Sequence, residues 1–192
     1  MRGKMKLQDI AEVMIGVLAK RENDKNGENS YLLFSLKNYE EGINFEEYKT
    51  NKNLDNKVAQ KGDLLFRLLY PNKIIYVDEK IEGTLVPSQF CIIRTNKNYL
   101  DPIVLKWYLE SNMANVELNS KITGSIIKTM PVASLKTLNI PYVSKDNQED
   151  MKTLILLWKK EEEISREILN EKNRLYNYYL EKMITKENSL KE

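Results

Sequence analysis

Residues 145–186 read KDNQEDMKTLILLWKKEEEISREILNEKNRLYNYYLEKMITK, more than forty residues without a Pro or a Gly. Within them Leu154, Leu157, Ile164, Ile168, Leu175 and Tyr178 follow alternating spacings of three and four, with Glu161 and Glu171 occupying two steps of the same series. That period predicts one long amphipathic helix, about 60 Å in length at 1.5 Å per residue. A domain built from residues 1–144 has a radius of gyration of about 14 Å by size scaling, too small to cover the whole stripe. A coiled-coil partner is therefore expected, with the six apolar residues as its seam. Glu161 and Glu171 weaken that seam, because an unpaired buried carboxylate costs several kcal/mol; each must face solvent or meet a Lys or Arg.

A chain of 192 residues that is 42% hydrophobic and 30% charged has room for one soluble domain and an appendage. Its longest apolar runs, Tyr31 to Phe34 and Leu154 to Trp158, fall far short of the roughly twenty residues a bilayer requires. Met1 to Lys6 is basic, but Gln8, Asp9 and Glu12 follow where a secretory signal needs an apolar core, so a cytoplasmic location is expected. Histidine is absent, which excludes a Ser-His-Asp triad, a Cys-His pair and any His-ligated metal. The single cysteine, Cys91, lies in the apolar run Phe90 to Ile93 and is expected to be a buried structural thiol. Net charge is +2, divided as +3 over residues 1–144 and −1 over the remainder. Such an excess does not by itself announce a nucleic-acid binder; positive charge would have to gather on one face.

Along the chain, Lys6 to Val13 places Leu7, Ile10 and Ala11 at helical spacing before a stop at Gly16. After a polar loop over residues 20–30, Tyr31 to Leu36 is expected as a strand, Asn38 to Gly42 as a turn, and Asn44 to Asn56 as a polar stretch anchored by Phe45 and Tyr48. Lys61-Gly62-Asp63 forms a turn into a strand over Leu64 to Leu69, followed by strands Ile74 to Val77 and Gln89 to Arg94. Asn98 to Pro102 starts a helix whose Val104, Leu105, Trp107, Tyr108 and Leu109 make a wide apolar face, and Asn139 to Val143 is a last strand before the tail. The implied class is α+β: a mixed α/β domain over residues 1–144 with a curled sheet of short strands, then a C-terminal coiled-coil helix over residues 145–192.

No catalytic constellation emerges. Lys61-Gly62-Asp63 lacks the glycines and the trailing Lys-Ser/Thr of a phosphate loop. Asp78-Glu79-Lys80 has the acidic-x-Lys spacing of a nuclease half-site without a preceding Pro-Asp, and Asp101-Pro102-Ile103-Val104 lacks the second proline and the aromatic of an amino-methyltransferase loop. No cofactor is implied for this chain. What remains is a set of polar and basic residues beside turns: Arg67, Tyr70, Lys73, Ser88, Gln89, Asn119, Lys121, Ser125 and Lys128. Arg and Lys read guanine edges or hold phosphates, and Asn and Gln pair with adenine, so these are the candidate DNA contacts.

The order of features resembles a known family. Leu7-Gln8-Asp9-Ile10-Ala11-Glu12, Ser35-Leu36-Lys37-Asn38 with Gly42-Ile43, and Lys61-Gly62-Asp63-Leu64-Leu65-Phe66 come first. Asp101-Pro102 with Trp107-Tyr108-Leu109 and Ser111, Gly124-Ser125-Ile126-Ile127, and Leu135 to Pro141 with Gln148 follow in sequence. Together they are similar to one half of a DNA-specificity (S) subunit of type I restriction-modification systems, a target recognition domain followed by one helix. The family's Pro-rich run before Glu-Gln is replaced here by Tyr142 to Asn147. The resemblance implies a non-catalytic subunit that binds double-stranded DNA, while methylation with S-adenosylmethionine and ATP-driven cleavage belong to separate modification and restriction subunits. It implies that the modification subunits dock on the helix, around Trp158 and Tyr179, and through them the restriction subunit. A chain with one recognition domain is expected to pair with a second copy as a homodimer and read a palindromic bipartite site. Two other readings stand beside it: the specificity domain of a fused restriction-methyltransferase enzyme, and a coiled-coil adaptor without a nucleic-acid role.

Overall fold

A computed structural model describes residues 3–19, 26–96, 98–124 and 126–188 of the chain. The chain divides into two compact units, Met1–Glu149 and Asp150–Glu192.

The first unit is organised around the turn at Lys61-Gly62-Asp63. Gly62 has a φ of +92°, a conformation that costs an L side chain strain and glycine nothing. Its N–H donates to Val77 O at 3.0 Å, and Val77 N–H returns a bond to Asp63 O at 2.9 Å. The Asp63 carboxylate, only 2% exposed, accepts from Gln60 N at 2.9 Å and from both Nε and Nη2 of Arg94, at 2.9 and 2.7 Å. Arg94 also donates to Val58 O at 3.3 Å. Bidentate geometry with further hydrogen bonds on the carboxylate is the arrangement in which a buried ion pair recovers its desolvation cost.

From this turn the chain enters β5 (Leu64–Arg67), paired antiparallel with β6 (Ile74–Tyr76) on one side and β8 (Phe90–Thr95) on the other; β2 (Ala11–Ile15) completes the sheet in the order β2-β8-β5-β6. Leu64, Leu65, Phe66, Cys91, Ile92 and Ile93 are fully buried, which is why the two central strands read as unbroken apolar runs. In the edge strand β2, Ala11 and Val13 point inward and Glu12 outward, and Ile15, on the inward parity at the strand's end, is exposed. A second sheet has the order β4-β3-β7: β3 (Asn29–Leu33) runs antiparallel to β4 (Glu46–Thr50) and parallel to β7 (Thr84–Leu85). Phe34 anchors the core common to these strands, meeting Phe90 edge-on at 5.3 Å among Leu65, Ile75, Ile81 and Ile92. A third, two-stranded sheet joins β1 (Lys4–Lys6) to β9 (Asn139–Pro141).

Short helices fill the connections: α1 (Leu7–Ile10), α2 (Leu36–Glu41), α3 (Pro102–Glu110), α4 (Asn112–Lys121) and α5 (Val132–Lys136). Their starts obey capping chemistry. Ser35, Asp101 and Ser111 accept from Asn38 N, Ile103 N and Ala114 N, and Pro102 occupies the first turn of α3. The last helix, α6 (Lys145–Asn188), is 44 residues long, about 66 Å. Its first turn belongs to the first unit through Gln148, which is 6% exposed. Gln148 Oε1 accepts from Asp101 N, and its Nε2 donates to Tyr99 O and Val143 O, each at 2.9 Å.

The α+β class and the long C-terminal helix are as expected. In place of one curled sheet, the short strands form three open sheets of two, four and three strands. Besides the short strands β1 and β7, two five-residue strands were not anticipated: Ala11–Ile15, where helical spacing stops at Ile10, and Glu46–Thr50, where a mostly polar, charged sequence pairs with β3 and turns only Tyr48 and Thr50 fully inward. Replacing Asp63 by Ala leaves Arg94 and the Gln60 N–H without their acceptor. Urea denaturation of the Asp63→Ala variant is expected to show a loss of about 3 kcal/mol, whereas Glu79→Ala, which breaks a solvent-screened surface pair, is expected to leave the denaturation midpoint essentially unchanged.

Candidate functional site

Three connections meet along one border of the β5–β8 sheet. The turn after β5 donates Leu68 N to Gln89 O at 2.9 Å, joining it to the turn before β8. It also exchanges bonds with the hairpin Thr123–Thr129: Tyr70 N donates to Lys128 O at 3.0 Å and Met130 N to Leu68 O at 2.8 Å. Arg67, Tyr70, Gln89 and Lys128 are thereby held together on backbone that is itself hydrogen-bonded. The Lys128 ammonium stands 5.6 Å from the centroid of the Tyr70 ring, a cation–π geometry. Asn72, between β5 and β6, donates its side-chain amide to Arg67 O at 2.9 Å and closes the loop that carries Tyr70.

The other candidates have different surroundings. Lys73 is adjacent through its carbonyl, which accepts from Arg67 N at 2.8 Å, but its ammonium is paired with Glu40. Lys121 lies 3.7 Å from Glu117 and donates to Thr137 Oγ1 at 3.3 Å. Glu117 in turn accepts from Asn139 N and Nδ2, so Lys121 belongs to a network that ties α4 to β9. In the same network Tyr108 donates to Asn139 O at 2.9 Å, and burial, with Glu117 nearby, raises its phenol pKa above the ordinary value. Asn119 is exposed near the end of α4. Ser88 and Gln89 line a cleft of about 620 Å³ with Val17, Leu18, Phe34 and Pro87. Ser125 lies outside the described residues.

The residues weighed as catalytic have structural partners. Glu79 pairs with Lys61 at 2.7 Å, which holds its carboxyl below the usual range and raises the Lys61 ammonium. Asp78 accepts from Lys80 N within its own turn, and Asp101 is the N-cap of α3. Among the described residues no group of three or more Cys, Asp or Glu side chains is placed to hold a metal ion. None of the described helices is long and apolar enough to cross a membrane.

On α6 the proposed seam residues are all exposed, from 44% at Ile164 to 69% at Leu154. Trp158, Leu169, Tyr176, Tyr179 and Met183 are exposed beside them. At 100° per residue the two series span an arc of about 180°. From its edges round the polar side, Lys160 pairs with Glu163 and Arg166 with Glu162, at 2.9 and 3.2 Å. Glu171 lies 3.7 Å from Arg174.

No family model and no curated protein matches the chain. Solved structures do. A chain of a type I restriction-modification system, described for its complex assembly and conformational transition, superposes at TM-score 0.64 and 16% identity over 85% of this chain and 43% of its own. The HsdS subunit from Thermoanaerobacter tengcongensis superposes at 0.60 and 17% identity over the same shares. The chain has the fold of a type I specificity subunit. The S subunit from M. genitalium adds a third match, at TM-score 0.54 and 15% identity over 82% of this chain and 38% of that one. The chain thus spans about two fifths of the length of each.

Cys91 is fully buried, and burial pushes its thiol up to about 12. In the native protein it is expected to resist alkylation at pH 8 and to react in full once the chain is unfolded in denaturant, as measured by mass spectrometry.

Proposed function

We propose that this chain is a sequence-specific DNA-recognition subunit of a type I restriction-modification system, itself non-catalytic, that directs a methyltransferase and endonuclease complex to a bipartite site. The observation that carries the reading is the specificity-subunit fold, combined with a border of hydrogen-bonded loops that presents Arg67, Tyr70, Gln89 and Lys128 together. Guanidinium and ammonium groups suit phosphates and guanine edges, Gln suits adenine, and Tyr serves phosphate or sugar. Residues 1–144 would supply readout and residues 145–192 the assembly surface. The protein would act in the cytoplasm, where it meets double-stranded DNA and the modification subunits, and through them the restriction subunit.

The exposed a/d series on α6 supports pairing with a second copy through Leu154, Leu157, Ile164, Ile168, Leu175 and Tyr178. A helix of about 66 Å approaches two turns of DNA, each about 34–36 Å, so a helix pair of this length would space two recognition domains on neighbouring stretches of groove. The adjoining surface around Trp158 and Tyr179 would remain for a modification subunit.

Binding of the full chain to a fluorescent random-sequence duplex should weaken steeply as salt rises, the mark of phosphate contacts. Arg67→Ala and Lys128→Ala should each reduce the slope of log affinity against log salt by about one. Salt-independent binding, or none, would favour the coiled-coil adaptor. Sedimentation should show a dimer at micromolar concentration, and Ile168→Asp with Leu175→Asp should raise its dissociation constant on the order of 100-fold or more. A wild-type monomer at that concentration rules out the paired-helix spacer.

A further inference from the structure

Ile126 and Ile127 stand at the tip of the Thr123–Thr129 hairpin, 95% and 69% exposed, where turn chemistry favours Gly, Asn, Asp or Ser. Scattered apolar residues on a surface need no explanation, so the pair matters only through its position. The hairpin is closed by reciprocal bonds, Thr123 N to Thr129 O at 2.9 Å and Thr129 N to Thr123 O at 2.8 Å. Gly124 has a φ of +100°, and a Cβ there would lie 2.2 Å from Ile127 O, so this tip requires glycine. Two β-branched side chains, stiff at χ1, are therefore held out in solvent on a hydrogen-bonded base.

At that base lie Lys128 and Tyr70, with Arg67 on the strand below. Among the described residues neither Lys128 nor Arg67 makes an ion pair. An apolar tip framed by uncompensated cations complements a DNA groove, where phosphates form the walls and base edges the floor. The major groove admits a two-stranded β-ribbon and displays the thymine C5-methyl, the one apolar group on its floor. A protein partner fits less well, because the centre of such an interface is depleted of charge and would have to desolvate these cations.

We propose that the Ile126–Ile127 tip enters the major groove and reads thymine methyl groups, while Lys128 and Tyr70 hold the adjoining phosphates. This rests on the DNA-recognition reading and adds to it a base preference and the two residues that set it.

The test selects the best-bound sequence from a random duplex pool with the full-length protein, then remakes that duplex with deoxyuridine for thymidine, which removes only the methyl groups. The wild-type chain should bind the uracil duplex about three- to five-fold more weakly for each methyl contacted. An Ile126→Ser, Ile127→Ser variant, its thermal midpoint unchanged because both side chains are exposed, should bind the thymine duplex more weakly and not distinguish the two. The proposal is overturned if the variant discriminates thymine from uracil as the wild type does, since another element then reads the methyl. It is equally overturned if the variant binds weakly while the wild type ignores uracil, the signature of a minor-groove wedge, or if the variant binds DNA normally and fails only to recruit a modification subunit. A wild-type chain that enriches no sequence at all removes the DNA-recognition reading itself, and this proposal with it.

Discussion

The bidentate pair between Asp63 and Arg94 is the constraint on which the first unit depends. Asp63 sits at the entrance of the central strand, and Arg94 lies near the end of β8, its antiparallel neighbour. One carboxylate therefore fixes a turn, the start of β5 and the register of β8 at once, while the Asp63 and Gly62 backbones tie in the residue after β6. The aspartate is almost wholly buried and Arg94 only partly so, and the Asp63 hydrogen bonds raise the guanidinium pKa further. A buried charge of this kind is tolerated when it is paired and further hydrogen-bonded. Here two guanidinium N–H groups supply the pairing and Gln60 N a third bond.

That register carries the candidate interface. Arg67 faces Phe90 across the β5–β8 ladder, so the turns that follow β5 and precede β8 emerge side by side. The Thr123–Thr129 hairpin docks against the first of them through main-chain bonds. Tyr70, Gln89, Ile126, Ile127 and Lys128 on these connections are exposed, while the scaffold that aligns them is backbone and core. Rigid support under variable loops is the usual division of labour in binding domains.

The sequence made some of this legible and hid the rest for physical reasons. The tail was readable because a heptad series over twenty-five residues lies within more than forty free of Pro and Gly, β5 and β8 because buried central strands leave continuous apolar runs, and the edge strand β6 because Ile74 and Ile75 are buried as well. The strand Glu46–Thr50 was hidden because it is an edge: among the described residues β3 alone pairs with it, and most of its side chains are not fully buried. At the candidate site, chemistry marked the right residue types but not their partners. Lys73 and Lys128 look alike in sequence; Glu40, thirty-three residues away, occupies the first, and the Tyr70 ring underlies the second. Ile126 and Ile127 figured in the sequence only as the end of the Gly124 to Ile127 motif, and their exposure is what the structure adds.

Gln148 has a thermodynamic consequence. An isolated helix begins with an unfavourable nucleus, a factor of roughly 10⁻³, because several dihedrals are fixed before the first bond forms. In α6 that first turn is already held by Tyr99 O, Asp101 N and Val143 O. Propagation from there adds one bond per residue, assisted by the surface ion pairs along the polar side. A partner meeting this helix encounters a preformed surface and does not have to supply the ordering entropy of coupled folding.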